Sequence, residues 1–385
     1  MDAEAEFVAA PPGAAAPLCE APRPNNMYAA ATQTNTTTTM IGTIGCGARG
    51  VGDELDVFRF AMRRTSRRGL APPGVTHGHE PASPLQNRAR MAGAYVLVVN
   101  PRAGVGRAAS MLRAVSAKLR VDPHQAIETS LDSSFAQRLS TAIRAAASPV
   151  TVISVGGDGT LSIIVNALPD PRAARLAIVP AGSGNDFGVA LGIRSLDQAL
   201  EAAAGTSSAD VDLGTCNGRR FINCIGMGLD GEIARTAAAI RRRGLARGMS
   251  YYCAALVGLW RVRPVRAVLS RSTGEVRIED LLMLTVGNGA WYGGGYHGAP
   301  GASIDDGELD CYAFADLKGP LRRLALMERV RRGTHASHSV VTGFKTSSLC
   351  AEFDREIAMH VDGELTAAAR VDIGVQRAAL SVAVL

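Results

Sequence analysis

Lysine is almost missing from this chain. Lys118, Lys318 and Lys345 are the only three, so a net charge of +6 rests on arginine. So modest a balance suits small anionic partners, nucleotides or membrane lipids, and gives no ground for a nucleic-acid partner. Paired cysteines are missing too. Seven cysteines are scattered without a C-x-x-C pair, which argues against a disulfide framework or a zinc site and fits free thiols in a reducing cytoplasm. Long apolar runs are also lacking. The longest aromatic-apolar stretch, "MSYYCAALVGLW" (Met249–Trp260), falls well short of the roughly 20 residues that cross a bilayer. The first residues, "MDAEAEFVAAPP", lack the basic flank of a secretory signal. The expectation is a cytoplasmic protein, soluble or peripheral at a membrane.

What is present falls into three textures. Residues 1–90 are rich in Ala, Pro, Thr and Arg, with low-complexity pieces such as "TQTNTTTT" and "MRRTSRRG". They offer too little apolar surface to offset ordering, and a disordered or non-domain extension is expected. Residues 91–208 alternate buried strands with helical spacing: "AYVLVVN", then "GRAASMLRAVSAKLR"; "TVISV", then a helix through Leu168; "RLAIVP", then a short helix. Strands separated by helices predict parallel β-structure with right-handed crossovers, an open α/β domain. Residues 209–385 carry short strand-like runs between turn residues, from "ADVDLGTC" to "AALSVAVL". They predict an antiparallel β-sandwich domain with one helical insertion between Asp230 and Trp260. No internal repeat is visible.

Each strand of the α/β domain ends in a glycine turn: "NPRAGVG" (Asn100–Gly106), "GGDGT" (Gly156–Thr160) and "PAGSGNDFG" (Pro180–Gly188). Parallel strands put all three turns at one sheet edge, where open α/β sheets bind ligands. Glycines let backbone N–H groups approach an anion, and the following helix presents its positive end. Asp158 would repel a phosphate unless a cation mediates, and Mg²⁺ takes carboxylate and phosphate oxygens together.

N-P-x-x-G, G-G-D-G-T and P-x-G-[ST]-x-N-D-F, in this order, resemble the signature of the diacylglycerol kinase catalytic family. The likeness is to its bacterial lipid-kinase branch especially, with sphingosine kinases as relatives. "GNGAWYGGGYHGAPGASIDDGELDCY" (Gly287–Tyr312) is similar to that family's Y-G-G-G…A-P-x-A-x-x-D-D-G-x-L-D segment, and "HVDGE" (His360–Glu364) to its terminal D-G-E. The resemblance runs from about Ala94 to the C-terminus. It implies a Rossmann-like α/β domain of the NAD kinase and diacylglycerol kinase type, a β-sandwich after it, and an active site in the cleft between them. It further implies an ATP-dependent lipid kinase that uses Mg²⁺ and phosphorylates the hydroxyl of a diacylglycerol-like or sphingoid lipid at a membrane surface. Asn100, Gly104, Thr129, Gly156, Gly157, Asp158, Gly159, Thr160, Gly182, Ser183, Asn185 and Asp186 would line the nucleotide site. By the same carry-over Asp158 helps hold the catalytic Mg²⁺. Asp306, with Ser303 and Glu308 contributing through main-chain oxygens, would hold a second, structural ion, and Asp362 or Glu364 would accept the lipid hydroxyl's proton.

Two other readings stay open. NAD kinases also use a GGDGT turn, although the D-D-G-x-L-D and D-G-E segments resemble the lipid branch. Ser162–Ile163 stands where the family often has Asn-Glu, which motivates a catalytically silent nucleotide- or lipid-binding regulator. The arginines that flank Met249–Trp260, and the run "RRLALMERVRRG" (Arg322–Gly333), suit either a membrane interface or a solvated rim. His297, His335 and His338 have no ligand-like partners and read as structural or surface residues. A homodimer is left open.

Overall fold

The computed structural model describes residues 94–146, 148–244 and 247–385, all within one compact unit, Ser83–Leu385. The extension expected over 1–90 lies outside the described residues.

The chain opens with β1 (Ala94–Val99), α1 (Arg107–Leu119), β2 (Ile127–Glu128), α2 (Ser133–Ala145) and β3 (Val150–Gly156). It continues through α3 (Asp158–Ala167), β4 (Arg175–Pro180), α4 (Asp186–Ala190) and α5 (Leu196–Ala204). The strands lie parallel in the order β2-β1-β3-β4. Their apolar residues split cleanly by the two-residue period of a strand. Val96, Val98, Val152, Leu176 and Ile178 pack toward Phe135 and Leu139 of α2 and Leu161 and Ile164 of α3. Leu97, Val99, Ile153, Val155, Ala177 and Val179 pack toward Val115 of α1 and Ala199 of α5. Both faces are covered, which is why these strands read as continuous hydrophobic runs. Local chemistry sets the helix starts. Asp132 accepts the Phe135 N–H ahead of α2, and Ser195 with Gln198 forms a reciprocal capping box on α5.

Next come β5 (Ser208–Cys216), β6 (Arg219–Phe221), β7 (Cys224–Gly228), α6 (Leu229–Arg241) and α7 (Arg247–Arg261). Then follow β8 (Val265–Arg271), β9 (Gly274–Gly287), β10 (Leu309–Ala315), α8 (Pro320–Arg332), β11 (Val341–Thr346), β12 (Ser348–Val361) and β13 (Glu364–Ala383). The helical insertion is thus a pair of helices. Strand β9 pairs with β8 along its first half and with β7 along its second. Strand β12 does the same, with its register shifting between Glu352 and Ile357. Long strands that change partners at such irregularities make the corners of a sandwich. They enclose a core of Phe221, Met227, Leu269, Leu284, Phe353 and Met359.

The protein is therefore an open parallel α/β layer joined to an antiparallel β-sandwich. The join is not a single cut in the sequence. After pairing with β12, β13 crosses over to pair with β5, and its last turn reaches β4 through Val382 and Leu176. Val211, Leu213, Leu380 and Val382 accordingly sit in the core of the parallel sheet.

Candidate active site

The three glycine turns converge. A methyl group on Gly157 would lie 2.8 Å from the Gly182 Cα, and one on Gly104 would lie 2.1 Å from the Ala181 carbonyl oxygen. No side chain fits at either glycine, so these two contacts are backbone on backbone. Arg107 fastens the outer two, with Nη2 donating to the Gly182 carbonyl at 2.7 Å and Nε to that of Gly104 at 3.3 Å. Asn100 joins the first turn to the second through Nδ2 and the Thr160 hydroxyl, 3.3 Å apart. Thr129 lies at the same edge, its N–H on the Val99 carbonyl at 2.9 Å. Ser183 and Gly159 are exposed at the turn tips. A cavity of about 330 Å³ beside the third turn is lined by Gly184 and Asn185, by Arg107 and Arg194, and by the apolar side chains of Val189 and Leu196.

Asp158 is the first residue of α3, yet it caps a different helix. Its oxygens accept the N–H groups of Asp186 (3.2 Å) and Phe187 (3.0 Å) at the start of α4, and Nδ2 of Asn223 (3.3 Å) from the sandwich. A carboxylate has about four acceptor positions, and these contacts take three. One remains for a cation or water. Among the described residues no three His, Cys, Asp or Glu side chains are grouped to hold a metal by themselves. Mg²⁺ binds through one or two carboxylates where phosphate oxygens and water supply the remaining positions, so the open position on Asp158 is the place to test for it.

Further carboxylates stand at the same place, where the sandwich meets the α/β layer. Asp186 Oδ2 accepts the Gly294 N–H at 2.8 Å, which draws the Tyr292–Tyr296 loop over the third turn. Asp362 occupies the hairpin between β12 and β13 in the left-handed region, φ 48°. Its carboxylate accepts three consecutive N–H groups, Ile222 (2.7 Å), Asn223 (2.9 Å) and Cys224 (3.0 Å). Burial pushes its pKa up to about 6 against those donors, with the Asp158 charge adding to the rise. Glu364 turns elsewhere, into an ion pair with Arg219 at 2.5 Å. Cys224 sits amid the group: burial, then the charges of Asp362, Asp230, Asp186 and Asp158, raise its thiol well above the ordinary range.

Other expected residues do different work. Asn185, at φ 62°, closes its amide on the Gly182 main chain in both directions (2.9 and 3.1 Å), so it shapes the turn instead of reaching outward. Asp306 Oδ2 lies 2.7 Å from Lys345 Nζ, and the Ser303 hydroxyl bonds to Asp305. The Glu308 N–H donates to Asp306 Oδ1 at 3.0 Å. Ser162 is fully buried, and Ile163 packs against the core under β3, so both positions belong to packing. Trp291 stacks on His297. His335 is enclosed by Tyr312 and Phe314, and burial drives its pKa down to about 4.

Several site residues escaped the sequence reading. Asn223 bridges the two halves. Asp230 opens α6 and lies 3.3 Å from Nε2 of buried His360, whose Nδ1 accepts the Gly363 N–H at 3.3 Å. Gly226 makes room for that pair: a methyl there would stand 2.2 Å from Asp230 and 2.5 Å from His360. Burial lowers the His360 pKa, but Asp230 outweighs it and leaves the imidazole above its ordinary value. Asp212, on β5, accepts the N–H groups of Gly307 and Ala378, each at 2.6 Å, and so pins the Asp306 turn to the irregularity in β13. The available signal was a polar residue interrupting an apolar strand run, as in "DVDLG" and "FINCIG".

This two-part site coincides with two family models. The diacylglycerol kinase catalytic domain matches residues 94–216, and the YegS C-terminal NAD kinase beta sandwich-like domain matches residues 223–384. A probable lipid kinase YegS-like of Pseudomonas aeruginosa (strain UCBPP-PA14) is 31% identical over 240 residues, covering 62% of this chain and 77% of that protein. The chain belongs to the diacylglycerol kinase catalytic-domain family. Within the family, a diacylglycerol kinase of Staphylococcus haemolyticus (strain JCSC1435) is 29% identical over 216 residues, 55% of this chain and 64% of that one. The fold is shared with the crystal structure of a diacylglycerol kinase from Bacillus anthracis str. Sterne. There the TM-score is 0.56 and the identity 19%, over 76% of this chain and 97% of the other.

Proposed function

We propose that the protein is a lipid kinase that transfers the γ-phosphoryl group of ATP to the hydroxyl of a diacylglycerol-like or sphingoid lipid at a membrane surface. The observation that carries this reading is the meeting of Gly157 and Gly182 with the Asp158 carboxylate poised between α4 and Asn223. Phosphoryl transfer asks a protein mainly for positioning and charge neutralisation. The turns and the N-terminal end of α3 would hold the phosphates, and Arg107 lines a cavity beside the third turn. Asp158 would hold Mg²⁺, which when bound neutralises phosphate charge. Asp362, with a carboxyl raised to about 6, is matched to taking the lipid hydroxyl's proton near neutral pH, whereas Glu364 is occupied by Arg219.

Access to a lipid is supported by the face of α7 and α8. No helix among the described residues is long and apolar enough to cross a membrane. Tyr252, Leu256 and Trp260 recur every four residues along α7 and stand exposed, as do Leu321 and Leu324 of α8. Arg323, buried with Asp316, donates to the Leu259 and Val262 carbonyls and clamps α8 to the end of α7. Exposed arginines lie close by in sequence, Arg241, Arg242 and Arg243 just before α7, Arg261 at its end and Arg322 on α8. Exposed aromatic residues with arginines close by in sequence suit an anionic bilayer surface.

The test is phosphoryl transfer from radiolabelled ATP to mixed lipid micelles, with NAD as the competing acceptor. Label in the lipid phase is expected. Label on NAD, or no label at all with intact nucleotide binding, would overturn the reading in favour of an NAD kinase or a silent regulator respectively.

A further inference from the structure

Between Gly301 and Asp310 the chain crowds Asp305, Asp306, Glu308 and Asp310 into one loop and the start of β10. The side chain of Asp310 is almost wholly buried, 5% exposed, and burial pushes its carboxyl pKa up. Such a loop needs a positive charge. It has one. Lys345, on β11, is paired by register with Asp310 on β10. Its Nζ lies 2.7 Å from Asp306 Oδ2, 3.3 Å from Asp310 Oδ2 and 3.2 Å from the Gly301 carbonyl oxygen. An ammonium carries three N–H donors on a compact point charge, and three oxygens surround this one. The planar guanidinium offers no such arrangement. In a chain that otherwise relies on arginine, this position holds one of three lysines.

The same loop is where the family resemblance places a second, structural ion. The carboxylate meant for it is engaged: Asp306 accepts the Glu308 N–H through one oxygen and Lys345 through the other. We propose that Lys345 is the resident cation of this loop, its ammonium cross-linking Asp306, Asp310 and the Gly301 carbonyl in place of a divalent metal. The Asp306 turn, which Asp212 anchors through Gly307, then folds without a second ion.

Mn²⁺ titration of the full chain without nucleotide, with free Mn²⁺ followed by electron paramagnetic resonance, tests this. The measurement uses no lipid or ATP, so it stands or falls apart from the kinase assay. Wild type and Asp306→Asn should bind Mn²⁺ alike. Lys345→Met should melt at lower temperature, gain a Mn²⁺ site at least about tenfold tighter than any in wild type, recover stability with the metal, and lose that site when Asp306→Asn is added. A wild-type Mn²⁺ site weakened tenfold or more by Asp306→Asn overturns the proposal. So does a Lys345→Met protein with unchanged melting and no new site. Should that variant not fold, wild type against Asp306→Asn decides alone.

Discussion

Asn223 ties two catalytic candidates together: its Nδ2 lies 3.3 Å from Asp158 Oδ1, while its own N–H donates to Asp362 at 2.9 Å. One residue thereby fixes the distance between the glycine turn of the α/β layer and the terminal hairpin of the sandwich. Asn223→Ala removes a single donor and should lower kcat/KM by roughly tenfold. Asn223→Asp sets a third carboxylate between two others, which like-charge repulsion opposes, and should cost about 100-fold or more. Equal losses in the two variants would mean that the bridge contributes through packing alone. Steady-state kinetics on lipid micelles, with a thermal melt to confirm folding, separates these results.

Asp158 answers for both structure and chemistry, so its variants should divide the two. Asp158→Ala leaves the Asp186 and Phe187 N–H groups at the start of α4 without their acceptor. Loss of such a cap costs about 1 kcal/mol. Asp158→Asn keeps one acceptor oxygen but not the charge. Both should lose at least about 100-fold in turnover, the scale of removing a group that stabilises transition-state charge, while only the alanine variant melts measurably lower. Wild-type-like transfer by Asp158→Asn would reject its place at the cation.

Much of the architecture was open to reading because the parallel strands obey one rule. Val152 and Ile153 face opposite cores, so both must be apolar, and an unbroken apolar run marks a doubly covered strand. The turns were equally plain, since each follows such a run. Strands that change partners midway were not. Nothing in the residues of β9 or β12 says where pairing with β8 yields to pairing with β7. The polar bridges failed for a related reason. Asn223, Asp230 and His360 lie far apart in sequence and look like interruptions of strands or the start of a helix until the sandwich closes. Asn185 shows the converse: an amide in a nucleotide-like motif reads as a ligand contact, yet its geometry closes on Gly182.

Asp362 should leave a mark on both activity and stability. Its carboxyl is raised from 3.8 to about 6 by burial, so the folded state prefers the proton. Ionising it costs on the order of 3 kcal/mol that the unfolded chain does not bear. This group's contribution therefore favours the fold at acid pH, declines as pH rises from about 4 through 6, and is constant above. A base must be ionised to act, so kcat/KM should fall below about pH 6. Asp362→Asn should lose turnover and also this component of the pH dependence of stability between those limits. An unchanged stability slope in a denaturant series would show that the carboxyl does not titrate there.

Trp260 and Tyr252 stand 74% and 75% exposed on α7, and folding leaves them no reason to be aromatic. Contact with a bilayer would supply one. Burying a large apolar side chain contributes about 1.5–3 kcal/mol, so Trp260→Ala and Tyr252→Ala should each weaken binding to anionic vesicles by roughly tenfold or more. Melting should be unaltered, because neither ring is packed. Each arginine near the surface adds about 1 kcal/mol, and Arg243→Gln should weaken binding to anionic but not to neutral vesicles. Activity on a short-chain lipid dissolved as monomers should be untouched in all three variants. Unchanged sedimentation with vesicles would refute membrane contact by this face. A matching loss on the dissolved lipid would instead assign the rings to substrate binding.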